Sequence, residues 1–262
     1  MQDILSALEI EKYLKTKEKF NISVLDSVTS TNALLKQEAE KFTEGRVIIA
    51  DSQTMGRGRF KRVFHSPKGC GIYMSILIKP EFGAETSVLI TAAAALAVAE
   101  AIENLSGKKT QIKWVNDVLI DGKKVCGILT EGIINAKTGK IESSIVGLGI
   151  NAYMPEDGYP EEISNIASAV FNEKQENLRN RLIAEVITRF WDYYVLLDDK
   201  TFLDGYKARM SVIGKEINVI KGDNIIKAQA LDIDDNCRLK VKYQNGETEY
   251  LSSGEISIKA ET

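Results

Sequence analysis

The chain has 262 residues, enough to bury one large core and a substrate pocket, or a main domain with a small appendage. Its 34 basic and 37 acidic residues leave a net charge of −3, which argues against a polyanion as the main partner and confines any basic site to a local patch. Three widely spaced cysteines, Cys70, Cys126 and Cys237, form neither a disulfide framework nor a zinc motif, and His65 is the only histidine. Chemistry therefore falls to lysine, arginine and aspartate, with or without Mg²⁺.

The opening Met1-Gln2-Asp3-Ile4 lacks the basic and apolar regions of a secretory signal, which predicts a cytoplasmic protein. Residues 5–14 read as one amphipathic helix. Thr29-Ser30-Thr31-Asn32 then precedes Ala33-Leu34-Leu35, so a hydroxyl or amide cap opens a helix there. Capping uses only one of these side chains, which predicts two others free at a helix N-terminus.

A strand is expected at 46–50, followed by Gln53-Thr54-Met55-Gly56-Arg57-Gly58-Arg59. Glycine lets backbone amides approach a ligand closely, and arginine supplies a permanent charge and a fork of donors, so this loop is suited to an anion. On composition alone a solvated basic turn is the favoured reading of such a loop, and a basic patch touching nucleic acid comes second. A strand at 71–78 and a helix at 87–105, ending near Gly107, come next. The apolar run 88–99 is shorter than the roughly 20 residues of a membrane span and reads as a buried helix, so no membrane partner is expected.

Strands at 111–114, 118–120, 125–134 and 142–150 follow, and between them lie two polar clusters. In the first, Lys113-Trp114-Val115-Asn116-Asp117 ends one strand, Gly122 turns a hairpin, and Lys124 opens an apolar strand in which Gly127 leaves room for a ligand or backbone. Lys123 reads as a surface residue. In the second, Gly147-Leu148-Gly149-Ile150-Asn151 closes a strand, without the third glycine of a dinucleotide fingerprint. The stretch 177–197 has helical periodicity and packs a core. Short strands at 215–219, 225–232, 239–243 and 247–252, with Asn245-Gly246 as a hairpin turn, predict a small C-terminal β-barrel or sandwich. The order is α+β: a mixed sheet with flanking helices over 1–210, and a small β domain over 211–262.

Arginines, lysines, a carboxylate and amides at strand ends suit adenylation, in which a carboxylate attacks the α-phosphate of ATP and the growing charge must be neutralised. At this point the sequence resembles the biotin protein ligases, or biotin–[acetyl-CoA-carboxylase] ligases. The resemblance is carried in order by Ser30-Thr31-Asn32, Gln53 with Gly56-Arg57-Gly58-Arg59, Lys113-Trp114 with Asn116-Asp117, Lys124 with Gly127-Ile128-Leu129, Gly147 to Asn151, and Gly254-Glu255-Ile256-Ser257. It implies a class II synthetase-like, lipoate ligase-like catalytic fold and an SH3-like C-terminal barrel. It also implies that Ser30, Thr31 and Gln53 bind the biotin ring system with Asn32 beside them. Gly56, Arg57, Gly58 and Arg59 would form a loop closing over biotin and the adenylate.

By the same resemblance Lys124, near Gly127, would bind the biotin carboxylate and the α-phosphate. Lys113, Asn116, Asp117, Arg59 and Asn151 would face ATP, with Asp117 a contact for Mg²⁺. Lys124, Arg59 and Asp117 are thus the implied catalytic residues. The implied reaction forms biotinyl-5′-AMP and then biotinylates a lysine of a biotin carboxyl carrier protein. A homodimer is compatible with it.

Three positions depart from the family pattern: Lys61 and Phe64 stand where a glycine and a tryptophan are usual, and Val115 replaces a proline. Some family members carry an N-terminal DNA-binding domain. The residues ahead of Ile22 are too few for a three-helix reader, so specific DNA binding is not expected. A lipoate or octanoate ligase is the alternative enzyme, although the Gly56 to Arg59 run speaks against it. A binding module whose glycine loops are structural leaves the cations at strand ends unexplained.

Overall fold

The computed structural model describes residues 3–80, 86–134, 141–221, 224–252 and 255–258. Helix α1 (Ala7–Tyr13) leads into strand β1 (Asn21–Leu25), helix α2 (Thr31–Glu38), β2 (Arg46–Ala50), β3 (Gly71–Ile78) and the long α3 (Thr86–Ser106). After β4 (Gln111–Lys113), β5 (Asp117–Ile120), β6 (Lys123–Ile134) and β7 (Ile141–Asn151) come α4 (Glu161–Ser164), α5 (Leu178–Val195) and α6 (Leu203–Ala208). The chain closes with β8 (Glu216–Lys221), β9 (Asn224–Ile233), β10 (Leu239–Tyr243), β11 (Thr248–Leu251) and β12 (Glu255–Ile258).

The first seven strands form one mixed sheet in the order β1-β2-β3-β7-β6-β5-β4, with only β1 and β2 parallel among the named pairs. Strand alternation divides its two faces. On one face Val47, Ile49, Ile72, Met74, Ile76, Val146, Leu148 and Ile150 join the main core with the alanine-rich α3 and with α5. On the other, Ile48, Leu77 and Ile145 pack with Leu35 of α2 in a smaller cluster. Both faces of β2 and β3 are covered, so these strands read as apolar runs instead of alternating ones.

Helix α3 is apolar and long enough to cross a membrane by length and composition alone, yet it is mostly buried between sheet and α5. The last five strands form an antiparallel sheet in the order β11-β10-β9-β8-β12. It joins the larger sheet through Ser211, whose N–H donates to Ile112 O at 2.9 Å, and through Trp114 Nε1, which donates to Cys237 O at 2.9 Å. Val212, Ile217, Ala230 and Cys237 continue the main core across that junction.

The predicted strands and long helices are all present, with ends moved by a few residues. Three differences matter. Asp117 does not end a strand: it begins β5 and pairs with Lys113 across a tight turn. The sequence reading passed over β1, a half-exposed edge strand with no clean alternation, and it missed the short helices α4 and α6. Gly254, one of the residues carrying the family resemblance, lies outside the described residues.

Candidate functional site

The α2 face of the sheet is only partly covered, and the uncovered part is lined by glycine. Register places Gly149 between Tyr73 and Gly127, and Gly147 between Ser75 and Leu129. Of these six neighbouring positions on one face three are glycine and one is serine, where bulky residues would fill the space, and a hollow results. It comprises two adjoining cavities that share walls, a smaller one of about 50 Å³ and a larger cleft of about 200 Å³ that opens to solvent.

Ser30, Thr31, Asn32, Gln53, Arg57, Gly127 and Gly147 are among the walls of the smaller cavity. The sequence predicted a hydroxyl or amide cap among Thr29 to Asn32, and the cap is Ser30, its hydroxyl accepting from Ala33 N at 3.5 Å. The expectation that its neighbours are left free is corrected. Thr31 N donates to Gln53 Oε1 at 2.9 Å, and the Thr31 hydroxyl lies 3.2 Å from the same oxygen. Asn32 Oδ1 accepts from Ser75 Oγ at 2.6 Å, while its Nδ2 donates to Glu131 Oε2 at 2.7 Å and Leu129 O at 3.3 Å. A buried polar group costs free energy unless paired, and these pairings lock the cap residues in place.

Gly56 lies behind this wall. A Cβ there would fall 2.5 Å from Ser66 Oγ and 3.1 Å from Gln53 Nε2, atoms already bonded to each other at 3.1 Å. The run from Gly56 to Phe64 is a small hairpin: Phe64 N donates to Gly56 O, Gly58 N to Arg62 O, and Arg57 bridges Val63. Its turn residues Phe60 and Lys61 both have positive φ, 55° and 60°. Lys61 occupies the family's glycine position, so a residue with a Cβ holds a left-handed conformation that glycine adopts without penalty. Lys61→Gly is expected to relieve strain of about 1 kcal/mol, read as a small rise in melting temperature.

Phe64, at the family's tryptophan position, sits over the glycine hollow. A Cβ on Gly149 would approach its ring to 2.5 Å, and the ring lies edge-on to Tyr73 with centroids 6.4 Å apart. Phe64 is one of five residues, with Gly58, Arg59, Asn116 and Lys124, that line both cavities.

The larger cleft adds Lys113, Asp117, Asn151, His65, Tyr159 and Ile166. Lys124 Nζ pairs with Asp117 Oδ1 at 2.7 Å, and that oxygen also accepts from Asn116 Nδ2 at 2.9 Å. Asn116 Oδ1 accepts in turn from Arg59 Nη1 at 2.8 Å. Asn151 Nδ2 donates to Ser168 O at 3.1 Å, and Lys124 N donates to Ile166 O at 2.7 Å, which fastens the 159–168 segment to the strand carrying Lys124. Val115, where the family has proline, is buried, and its carbonyl accepts from Tyr206 Oη at 3.2 Å.

The donor set bears on Mg²⁺. Among the described residues no three Asp, Glu, His or Cys side chains converge, so a resident all-protein metal cage is not present there. Asp117 offers one carboxylate at the mouth of the cleft, which fits a Mg²⁺ that arrives with a triphosphate and keeps its other ligands from phosphate and water. Cysteine chemistry is disfavoured: burial pushes the thiols of Cys70, Cys126 and Cys237 up, with Cys237 at about 12.

Sequence reasoning missed Ser66, Ser75, Glu131 and Tyr159. Ser75 had a signal: it is the small hydroxyl in an otherwise apolar, wholly buried strand. Glu131 gave none, because its partner Asn32 lies 99 positions away, and Ser66 and Tyr159 gave none, because they bond Phe64 O and Ser168 O within irregular segments that carry no periodic pattern.

A compact polar pocket joined to a larger cleft through a lysine and an arginine has the form expected of a ligase that brings a small carboxylate and a nucleotide together. Comparison with known proteins narrows the class. Residues 24–151 match the Biotin/lipoate A/B protein ligase family, and residues 212–259 the Biotin protein ligase C terminal domain. The Bifunctional ligase/repressor BirA of Bacillus spizizenii is 34% identical over 251 residues, covering 92% of this chain and 76% of that protein. The Biotin--[acetyl-CoA-carboxylase] ligase of Mycobacterium tuberculosis is 28% identical over 243 residues, 90% of this chain and 88% of the relative. Among solved structures, the biotin protein ligase from Aquifex aeolicus in complex with biotin and ATP superposes with a TM-score of 0.76 at 28% identity, over 91% of this chain and 98% of that one. The chain belongs to the biotin protein ligase family.

Proposed function

We propose that this protein activates biotin with ATP and transfers it to a lysine of a biotin carboxyl carrier domain. A biotin carboxylate oxygen attacks the α-phosphorus, pyrophosphate leaves, and biotinyl-5′-AMP forms. The carrier amine then attacks the acyl carbon, AMP departs, and the amine loses a proton. The observation that carries this reading is that the small polar pocket and the larger, solvent-open cleft meet at Lys124 and Arg59. The urea and thioether rings of biotin fit the pocket walled by Ser30, Thr31, Gln53 and Arg57. Lys124 is shared so that it reaches both the carboxylate and the α-phosphate, and ATP lies along Lys113, Asn116, Asp117 and Asn151. Asp117 would hold a Mg²⁺ carried in by the nucleotide, which would neutralise charge on the phosphates.

In this reading Arg57 serves the biotin side, since it lines only the smaller cavity, and Arg59 serves the phosphate. The hairpin from Gly56 to Phe64 covers the junction and keeps water from the mixed anhydride. Residues 1–210 carry the chemistry, and 211–262 form a small domain that contributes Ile256 to the rim of the cleft. The three buried free cysteines suit a reducing compartment such as the cytoplasm. A homodimer is compatible with the free edge of β1, and solution mass with and without biotin tests it. We assign no operator binding to the described residues, and a biotin-dependent shift of promoter DNA would overturn that.

Biotin-dependent exchange of labelled pyrophosphate into ATP is the deciding experiment. Exchange with lipoate and none with biotin would move the assignment to the lipoate branch. Arg59→Gly should release the adenylate, so that purified variant labels lysines of unrelated proteins; labelling confined to the carrier would show that Arg59 does not retain the intermediate.

A further inference from the structure

Arg179, in the first turn of α5, is 2% exposed and lines neither cavity. Its Nη1 donates to Asp51 Oδ1 at 2.7 Å and to Gly71 O at 2.9 Å. Its backbone N–H and Nε donate to Asp3 Oδ2 at 3.1 and 3.3 Å, and Nη2 donates to the Asp3 carbonyl. The buried Asp3 carboxylate also accepts from Tyr153 Oη at 2.7 Å. A buried ion pair is weak evidence of stabilisation, because desolvation offsets much of its attraction. What the guanidinium is attached to is more informative.

Asp51 directly follows β2, and its N–H, donating to Leu25 O at 2.9 Å, continues the β1–β2 pairing one residue beyond the strand. Beyond it the chain runs through Ser52 to Gln53, whose Oε1 receives both the amide and the hydroxyl of Thr31. Gln53 must therefore hold its place closely, on a segment that has just left the strand. Backbone pairing with Val28 and the bonds from Gln53 to Ser66 hold the far end of that segment, and Arg179, itself fixed by Asp3 and Gly71, adds a restraint at the exit through a charge-assisted bond to Asp51.

We propose that Arg179 is a positioning residue for the small polar pocket, acting through Asp51 on Gln53; this rests on reading that pocket as the biotin subsite. A site side chain needs such support because a displacement of about 1 Å is enough to lose a productive hydrogen-bond set.

The test is a double-mutant cycle on biotin binding, measured by titration calorimetry on the full chain. Asp51→Ala leaves Arg179 bonded to Asp3 and Gly71, so the variant keeps that anchor of α5. In otherwise wild-type protein it should weaken biotin binding about ten-fold, the loss expected of one charged hydrogen bond, and raise KM for biotin while KM for ATP stays within about two-fold. Because Asp51 acts through Gln53, the same substitution in a Gln53→Ala background should cost less than about two-fold. Arg179→Lys, which keeps charge without the fork, should repeat the selective biotin effect. Equal losses in both backgrounds, a rise in both KM values together, or no change at all would reduce Arg179 to a structural strut. Wild-type protein that binds no biotin would instead remove the reading of the pocket, and the inference with it.

Discussion

Lys124→Ala is expected to lower biotin-dependent pyrophosphate exchange by roughly 100- to 1,000-fold, the usual cost of removing one preorganised charge from a developing oxyanion. Its ammonium lies 2.7 Å from Asp117, in a wall common to both cavities. In the proposed reaction two anions that repel each other meet there. Coulomb repulsion between a carboxylate and a phosphate rises as water is excluded, so a fixed cation matters most when the hairpin has closed. The prediction separates steps: transfer from supplied biotinyl-5′-AMP to the carrier should fall much less than exchange, since the acyl phosphate bond already exists. An equal loss in both steps would mean that Lys124 only holds the pocket together. Lys124→Arg should recover only part of the exchange. The Lys124 terminal atoms pass close above Gly127, where an added Cβ would lie 2.9 Å away, and the wider guanidinium lacks that room.

Much of the scaffold of this site was legible before any coordinates, for reasons that differ by element. The Ser30 cap is local chemistry between residues three apart, and local chemistry is visible in sequence. The runs of β2 and β3 announce burial by composition, and Gly122 announces the β5–β6 hairpin because glycine accepts the positive φ, 75°, that the turn has. The glycines of β7 were visible as residues, but not their purpose. Only the register with Ser75 and Tyr73 on one side, and Leu129 and Gly127 on the other, shows that they make a hollow. The strands were in the sequence, and their pairing order was not. Arg179 was hidden most completely: its contact with Asp51 spans 128 positions, and in sequence it is one more basic residue at the start of an amphipathic helix. The hairpin turn was obscured for the opposite reason, since Phe60 and Lys61 are poor residues for a left-handed turn and advertise none.

Gly147→Ala should weaken biotin binding by roughly 100-fold or more, a cost of ~2.7 kcal/mol or above, while ATP binding changes little. The methyl group would fall on the Asn32 amide, 2.8 Å from Cγ and 2.9 Å from Nδ2, distances that real Cβ atoms do not tolerate. Asn32 has nowhere to retreat, because Ser75, Glu131 and Leu129 already hold both ends of its amide. Nor can β7 yield easily, since it is paired on both sides in the middle of the sheet. The displacement therefore passes into the N-terminus of α2, where Ser30 and Thr31 precede Asn32, and the polar wall of the smaller cavity shifts as a unit. Overpacking of this kind commonly costs about 1–3 kcal/mol of stability, so the variant should fold with a lowered denaturation midpoint. Adding Asn32→Ala to Gly147→Ala removes the collision and identifies its cause. If α2 is being pushed, the double variant should bind biotin more tightly than Gly147→Ala alone, even though it lacks an amide the wild type has. A double variant that binds more weakly than either single one would show that Asn32 contributes directly to the ligand, and that the glycine is needed for some other approach to the sheet.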